Sequence, residues 1–150
     1  MIEAQSYSPY EMGLGRLVAL DKNRFIGQEA LRAWQMRGHA RQVVGLEIEW
    51  PEVERLYEAR GLAPTVPAAA SRVAVPVYRS GRQVGRATST TWSPVLKKMI
   101  ALATIDRPFY AAATRLEIEI TVEAVRHQVP ASVVRTPFFN PGRKTQTPPA

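Results

Sequence analysis

Residues 114–134 read TRLEIEITVEAVRHQVPASVV, and apolar and polar side chains alternate along almost the whole stretch. Leu116 and Ile118 fall on one side of the alternation, with Glu117 between them on the other. A period of two residues is typical of a strand with one buried and one solvated face. The stretch therefore predicts strand structure with its apolar side turned towards a core.

Further strands are predicted upstream of this stretch. RQVVGLEIEW at residues 41–50 alternates in the same way, and residues 72–79 and 82–89 are also strand-like. Ser80-Gly81 lies between the last two and is a hairpin signal. Ser93-Pro94 predicts one turn of helix, with the serine as N-cap, leading into a strand at Ile100–Thr104. Five or six short strands with little helix predict a mainly β protein, a small antiparallel barrel or sandwich.

The helical content is minor. Leu31 and Trp34 recur at helical spacing, so we expect a helix from near Gly27 to a stop at Gly38. A second short helix is predicted for residues 51–61, which begin with proline and end with glycine. Gly13 and Gly15 disfavour a regular helix before these two, so we expect a turn and a short extended segment, Arg16–Leu20.

Composition excludes several classes of site. The 150 residues contain no cysteine, which removes disulfides, thiolate metal sites and a cysteine nucleophile. The two histidines have no partners at coordinating spacing, so no metal site is expected. A net charge of +7 comes mostly from arginine. That bias is compatible with an anionic ligand or nucleic acid, although a generic solvated surface is the more ordinary interpretation.

Four stretches in this order carry a family resemblance: YEMGLGRLVALDKNRFIGQEAL at 10–31, RQVVGLEIE at 41–49, GRQVGRATSTTWSPVLKKMIALATI at 81–105 and PASVVRTPFF at 130–139. Together they resemble the folate-dependent aminomethyltransferases, the family of the glycine cleavage T-protein. The resemblance runs from about Ser8 to Phe139. It implies three domains around a central folate cavity, the last of them a small antiparallel β-barrel.

The resemblance also implies how this chain divides. Residues 1–40 would be the C-terminal end of the folate-binding domain, a strand–helix remnant, and residues 41–139 would form the barrel. Residues 140–150, rich in proline and glycine, are expected to be disordered. The family's reacting aspartate, pterin-binding glutamate and a ligand-holding arginine lie upstream of the matching region. We therefore expect no catalytic residue here, and a chain that depends on upstream domains or on a split partner chain.

Two tetrahydrofolate contacts of the family fall within this chain. An aromatic residue, typically tryptophan, comes just after the family's glycine–leucine step, and Arg16 is the equivalent residue here. A guanidinium can lie flat on an aromatic ligand, so contact with folate is still expected there. The family also places a tyrosine after the terminal proline–phenylalanine pair, and Arg143 is nearest to it in spacing. Arg16 and Arg143 are thus the two candidate cofactor-binding residues.

Other interpretations stay open beside this one. A free-standing basic barrel that binds nucleic acid is the alternative of a different class. A folate-binding scaffold is a weaker one, because the related scaffold proteins carry a cysteine motif. Two interpretations are open for the cluster formed by Trp92-Ser93-Pro94, Lys97 and Lys98. The cluster either faces an anionic ligand or consists of a packed tryptophan beside a solvated lysine pair, and we favour the latter. The carboxylate pairs Glu47/Glu49 and Glu117/Glu119 are expected on a solvated outer face.

Two expectations concern the whole chain. No leader with a basic start and an apolar run opens the sequence, and no apolar stretch is long enough to span a bilayer, so we expect a cytoplasmic protein. Phe25, Ile26, Leu31 and Trp34 would ordinarily pack on a preceding domain. Without such a domain, an exposed apolar patch favours self-association.

Overall fold

Six antiparallel strands close into a barrel in the order β1-β4-β3-β2-β5-β6 in a computed structural model that describes residues 7–144 and residue 146. This confirms the predicted mainly β fold. The strands are β1 (Arg41–Ile48), β2 (Val75–Arg79), β3 (Arg82–Ser93), β4 (Lys98–Asp106), β5 (Arg115–Val122) and β6 (Val125–Val134). Two helices, α1 (Gln28–Arg37) and α2 (Trp50–Glu58), and two 3-10 turns, Gly15–Leu17 and Gly142–Lys144, complete these elements.

The alternation in the sequence becomes the inside and outside of the barrel. The inward side chains are aliphatic and almost completely buried, and they come from every strand; they include Leu46, Val77, Ala87, Ala103, Ile105, Leu116, Ile118, Val129 and Val133. Alanines on β3 and β4 alternate with larger residues from the other strands, which lets a six-stranded barrel fill its own interior. Burial of this apolar surface is the main favourable term in the stability of the barrel.

Helix α2 covers one end of the barrel. Pro51 lies in its first turn, and Val53 is buried in the core with Leu56 and Tyr57 packed beside it. The chain enters the helix directly from β1, and the amide of Glu49 donates a hydrogen bond of 2.9 Å to the carbonyl of Pro130 on β6. The predicted helix at residues 51–61 is therefore present, and its apolar side is the one that closes the core.

The turns between strands include one confirmed and one wrong prediction. Ser80-Gly81 connects β2 to β3, as its sequence indicates. The helical turn predicted after Ser93 is wrong: β3 extends to Ser93, and a tight turn leads straight into β4 at Lys98. The Ser93 hydroxyl does accept a hydrogen bond from the Leu96 amide, 3.3 Å long, as an N-cap would. The pairing of β3 with β4 prevents a helix from continuing beyond that single turn. Lys97, the last residue of the turn, has a positive φ of 52°.

The extended segment predicted for Arg16–Leu20 is also wrong. Residues Gly15–Leu17 form a 3-10 turn, with the Leu17 amide bonded to the Leu14 carbonyl at 2.9 Å. A strand needs a partner for its backbone groups, and no strand of the described residues pairs with this stretch. Gly15 also packs against the ring of Tyr10, where a Cβ would lie 2.9 Å from the ring. Helix α1 follows and ends at Gly38 as predicted.

Candidate functional site

A buried carboxylate fastens the segment before α1 to the barrel. The Glu11 side chain is only 2 % exposed, and its Oε2 accepts hydrogen bonds from the Ser8 amide (2.9 Å) and hydroxyl (3.3 Å). Its Oε1 lies 3.5 Å from Nε of Arg41, the first residue of β1, and the Glu11 carbonyl accepts a 2.7 Å bond from the Val43 amide. We call residues 8–11 with Arg41 the Glu11 clip. Its signature in the sequence, serine followed three residues later by glutamate, is the capping-box spacing.

Tyr7 lies next to the clip on the outer face of the barrel, between two arginines. The guanidinium of Arg41 stacks over its ring, 4.0 Å from the centroid, and Arg86 donates a hydrogen bond of 3.3 Å to its phenol oxygen. The bond from Arg86 is the main cause that holds the Tyr7 pKa below its usual value of 10.0. The positive charge of Arg41 and a hydrogen bond with Thr104 act in the same direction, against partial burial, which raises the pKa.

A second contact joins the same segment to the connection between α1 and β1. Tyr10 is buried, and its ring stacks on His39 with the centroids 5.5 Å apart and the planes 13° from parallel. The carbonyl of the next residue, Ala40, accepts a hydrogen bond from the Arg107 amide. His39 is therefore a packed residue in this protein, one of the two ordinary roles that the sequence allowed for it.

The C-terminal segment crosses the outer face of β1 at a glycine. A Cβ on Gly45 would lie 2.6 Å from Cε1 of Phe138 and 3.1 Å from Cγ2 of Thr136, so only glycine leaves room for the ring. Phe138 belongs to the PFF stretch near the end of the sequence. After it, Lys144 donates a 3.0 Å hydrogen bond to the Phe139 carbonyl. The 3-10 turn Gly142–Lys144 follows this contact by four residues.

The two predicted cofactor-binding residues lie in the two 3-10 turns. Arg16 is in Gly15–Leu17 and Arg143 is in Gly142–Lys144, and both side chains are exposed. Within the described residues, neither guanidinium takes part in a side-chain hydrogen bond or an ion pair, and none of these contacts joins one to the other. Each is therefore available to a ligand. Their role towards folate stays a prediction.

Residues 41–140 match the family described as the glycine cleavage T-protein C-terminal barrel domain. The chain belongs to this family. An aminomethyltransferase of Synechococcus sp. (strain CC9902) is 38 % identical over 133 residues, which cover 88 % of this chain and 31 % of the relative. An aminomethyltransferase of Bacillus cytotoxicus is 36 % identical over 137 residues, covering 91 % of this chain and 32 % of the relative. The chain thus spans about a third of the length of these relatives.

The fold agrees with a solved structure of the same family. The crystal structure of the glycine cleavage system aminomethyltransferase T from Bartonella henselae superposes with a TM-score of 0.65 over 88 % of this chain and 32 % of that one. The sequences are 18 % identical over this match, so the likeness shows the fold alone. Together with the family match, it confirms the predicted T-protein-type barrel. None of these matches favours the nucleic-acid alternative.

The tryptophan–lysine cluster of this T-protein-type barrel is a packing feature. Trp92 lies at the end of β3 against Trp50 of α2, with ring centroids 4.8 Å apart. Lys98 forms an ion pair with Glu47 across β1 and β4. Lys97 is exposed in the turn. The structural interpretation of this cluster fits the observed contacts, because no helix N-terminus is present to face an anion there.

Three of the four outer carboxylates, Glu47, Glu49 and Glu119, form ion pairs with neighbouring bases. Glu117 forms none within the described residues, and its Oε2 is buried without a hydrogen-bond partner, so it departs from the predicted solvated face. Glu49 lies 3.7 Å from Arg115, with its side chain 45 % exposed, as expected of a solvated face. Glu119 departs from that expectation because its side chain is only 13 % exposed. Its carboxylate lies 3.6 Å from Arg126 and accepts a hydrogen bond of 3.5 Å from the Tyr78 hydroxyl. Flanking side chains from β2 and β6 cover it, which alternation along β5 alone does not reveal.

The segment that precedes the barrel leaves large apolar side chains uncovered. Ile26 and Met36 are 103 % and 83 % exposed, and Gln28 is the one buried residue of α1. Of the four residues expected to pack on a preceding domain, Ile26 is fully exposed, and Phe25, Leu31 and Trp34 are half-buried. Helix α1 therefore contributes little to the barrel core.

Two kinds of feature are absent from the part of the chain that the structure describes. Residues 7–144 and 146 contain no group of three or more histidine, aspartate or glutamate side chains arranged to hold a metal ion. In the same part of the chain, no helix combines the length and the apolar character needed to cross a membrane.

Proposed function

We propose that this chain forms the C-terminal barrel of a tetrahydrofolate-dependent, T-protein-type aminomethyltransferase. In this proposal residues 41–139 are the barrel, and residues 1–40 are the end of the folate-binding domain. The observation that carries it is the extent of the similarity. Aminomethyltransferases match 88–91 % of this chain, so the likeness continues from the barrel into the segment before it.

The proposal assigns the barrel a supporting role in the reaction. Transfer of a one-carbon unit needs a carboxylate placed to stabilise developing positive charge, and a walled pocket that orients two reactants. The most buried carboxylate of the described chain, Glu11, is already committed to Ser8 and Arg41. In this proposal the other two thirds of the enzyme supply the reacting groups, either from the same polypeptide or from a partner chain.

Arg16 and Arg143 are proposed to touch folate along one wall of that pocket. Both are exposed, and both stand on short 3-10 turns at or near packing contacts: Tyr10 against Gly15, and Phe138 on Gly45. Arg16 would stack on a flat ring in place of the family's usual aromatic residue. Arg143 would face an anionic part of the cofactor.

The experiment compares the chain alone with a chimera. The chimera joins it to the upstream two thirds of the Synechococcus aminomethyltransferase, and tetrahydrofolate binding is measured by calorimetry. We expect saturable binding by the chimera and none by the chain alone. We also expect Arg16→Ala or Arg143→Ala in the chimera to weaken binding by about tenfold, since hydrogen bonds to charged groups contribute about 1.5–3 kcal/mol.

The matched control is Arg82→Ala, which removes an exposed arginine from the start of β3. It should leave the affinity of the chimera unchanged. Tight binding or aminomethyl transfer by the chain alone would contradict the supporting role. Equal affinities of the Arg16, Arg143 and Arg82 variants would remove the two assigned contacts but leave the barrel assignment intact.

A further inference from the structure

A hollow of about 500 Å³ opens on the outer face of the barrel beside Tyr7. We call it the Tyr7 hollow; it is lined by Tyr7, Arg41, Gln83, Arg86, Thr104 and Asp106. Strand register explains why these side chains meet there. Arg86 on β3 stands directly opposite Thr104 on β4, and Asp106, two residues along β4, stands opposite Arg41 on β1. The volume is within the range of pockets that hold small molecules.

The two arginines of the hollow differ in their partners. Arg41 has a buried carboxylate 3.5 Å away, that of Glu11, and a second one, that of Asp106, opposite it in the sheet. Arg86 forms no ion pair with any carboxylate in the described part of the chain. Its side-chain contact there is the phenol of Tyr7, at 3.3 Å. Among the described residues, Arg86 therefore has no carboxylate within ion-pair distance, although Asp106 lines the same hollow.

The polar groups around Arg86 are suited to an oxyanion. A guanidinium has five N–H donors in a planar fork, and one hydrogen bond to Tyr7 leaves the others unused. Thr104 is only 8 % exposed, and it lines the hollow together with Tyr7 and Arg86. The pKa of Tyr7 is lowered because the two arginines stabilise a negative charge at its phenol oxygen. Planar donors beside hydroxyl groups are a common arrangement for binding carboxylate or phosphate.

We infer that the Tyr7 hollow binds a small molecule through one oxyanion head, a carboxylate or a phosphate, held by Arg86 together with the hydroxyl groups of Tyr7 and Thr104. Asp106, which also lines the hollow, would repel a second negative charge. The remainder of the ligand is therefore neutral or cationic. This site uses neither Arg16 nor Arg143 and is independent of the proposed folate pocket.

The test titrates the chain with inorganic phosphate and, separately, with acetate, in calorimetry at ionic strength matched with sodium chloride. We expect saturable binding of at least one probe, and the tighter of the two identifies the preferred head group. Arg86→Gln should weaken it by about tenfold or more, because a charge-assisted contact is lost. Arg82→Gln, four residues earlier on the same strand and outside the hollow, is the control and should bind like the unmodified chain.

An optical readout checks that the anion lies beside Tyr7. A bound anion offsets the positive field, so it should raise the pKa at which Tyr7 ionises, seen as tyrosinate absorbance. Chloride alone should not do so, and Tyr7→Phe should abolish the change. No saturable heat from either probe would overturn the inference. Equal binding by the Arg86→Gln and Arg82→Gln variants, with melting temperatures that show both folded, would overturn it as well.

Discussion

At the scale of single residues, the chemical surroundings of the Tyr7 phenol depend on the folded structure and have no signal in the local sequence. Nothing in the stretch Tyr7-Ser8-Pro9 marks this phenol as special. Its two arginine neighbours come from β1 and β3, 34 and 79 residues further along the chain. Such a site depends on the register of the closed barrel. In contrast, the Glu11 clip has a local signature, serine and glutamate three apart, and was open to prediction.

Ionisation of Tyr7 should make stability depend on pH in the alkaline range. Its pKa is lowered in the folded state relative to 10.0, the value expected when the chain is unfolded. The folded protein therefore loses this proton first, and stability is gained as pH rises through the folded pKa, completely so above 10.0. Below the folded pKa, ionisation contributes nothing.

The measurement is denaturant unfolding of the unmodified chain and of Tyr7→Phe at neutral pH and at intervals up to pH 10. The difference in unfolding free energy between the two should grow in favour of the unmodified chain as the upper end is approached. Tyr57→Phe, a phenol on α2 away from both arginines, serves as the control and should show no such growth. A difference that shrinks with rising pH would contradict the described contacts of Tyr7.

At the scale of elements, the sequence predicted strands and helices well where a local signal existed. Alternation located β1, β5 and β6, and Ser80-Gly81 located a hairpin. The turn between β5 and β6 is made by Glu123 and Ala124, which both have positive φ (48° and 62°) without being glycine or asparagine. The sequence therefore alternates through it without a visible break. Pairing with β6 along the whole length of β5 imposes that turn.

The prediction of a helical turn after Ser93-Pro94 was wrong for a related reason. Its residues are good helix openers, and the local hydrogen bond from Leu96 to the Ser93 hydroxyl does form. Strand pairing between β3 and β4 continues to the pair of Ser93 and Lys98, which leaves four residues for the connection. Those four residues close one tight turn, and strand pairing resumes at Lys98 immediately after it. Tertiary pairing overrides local preference here, and only the partner strand could have shown it.

The contact between Gly45 and Phe138 should fasten the C-terminal segment to β1. Gly45→Ala places a methyl group where the Phe138 ring lies, 2.6 Å from its nearest atom. We expect a loss of about 1–3 kcal/mol of unfolding free energy, typical of overpacking. In a Phe138→Ala background the same substitution should cost much less, because the Thr136 methyl group, 3.1 Å away, is then the one close neighbour that remains of those three contacts. The losses of unfolding free energy caused by the two single substitutions would therefore not add up to the loss in the double variant.

Urea unfolding of the two single variants and the double variant gives the coupling energy between them. Limited proteolysis of residues after Thr136 reports whether the segment has been released. Val75→Ala, a half-buried change on β2, which pairs with β3 and β5 and not with β1, is a control that should not couple to Phe138→Ala. Equal costs of Gly45→Ala in both backgrounds would show that Phe138 does not occupy this position.

At the scale of the whole molecule, two regions of the same chain differ in how they are stabilised. The barrel closes its own core, with most inward side chains nearly inaccessible. The segment from Met12 to Arg37 is held to it by small contacts, the Glu11 clip and the Tyr10–His39 stack. The family match begins at residue 41, at the first residue of the barrel. The hydrophobic period of the sequence also changes there, from helical to alternating.

The exposed apolar side chains of the segment before the barrel should cause copies of this chain to associate. Leu17, Ile26 and Met36 are 67 %, 103 % and 83 % exposed within fewer than thirty residues of one another, and burial of such side chains between copies is favourable. We expect the average mass from light scattering to rise with protein concentration. The double variant Leu17→Ser, Ile26→Ser should shift that rise to higher concentration. Each fully buried side chain of this kind contributes about 1.5–3 kcal/mol, so the shift should be about tenfold or more.

The control is a double variant on the barrel, Val73→Ser with Val95→Ser, which removes two side chains that are 71 % and 68 % exposed. It lowers surface hydrophobicity by a similar amount but leaves the segment before the barrel unchanged. If association depends on that segment, this variant should behave like the unmodified chain. An unchanging monomer mass for the unmodified chain across the whole range would contradict the expectation, as would equal shifts in the two double variants. The first result would mean that the exposed side chains are tolerated singly, and the second that general hydrophobicity governs association.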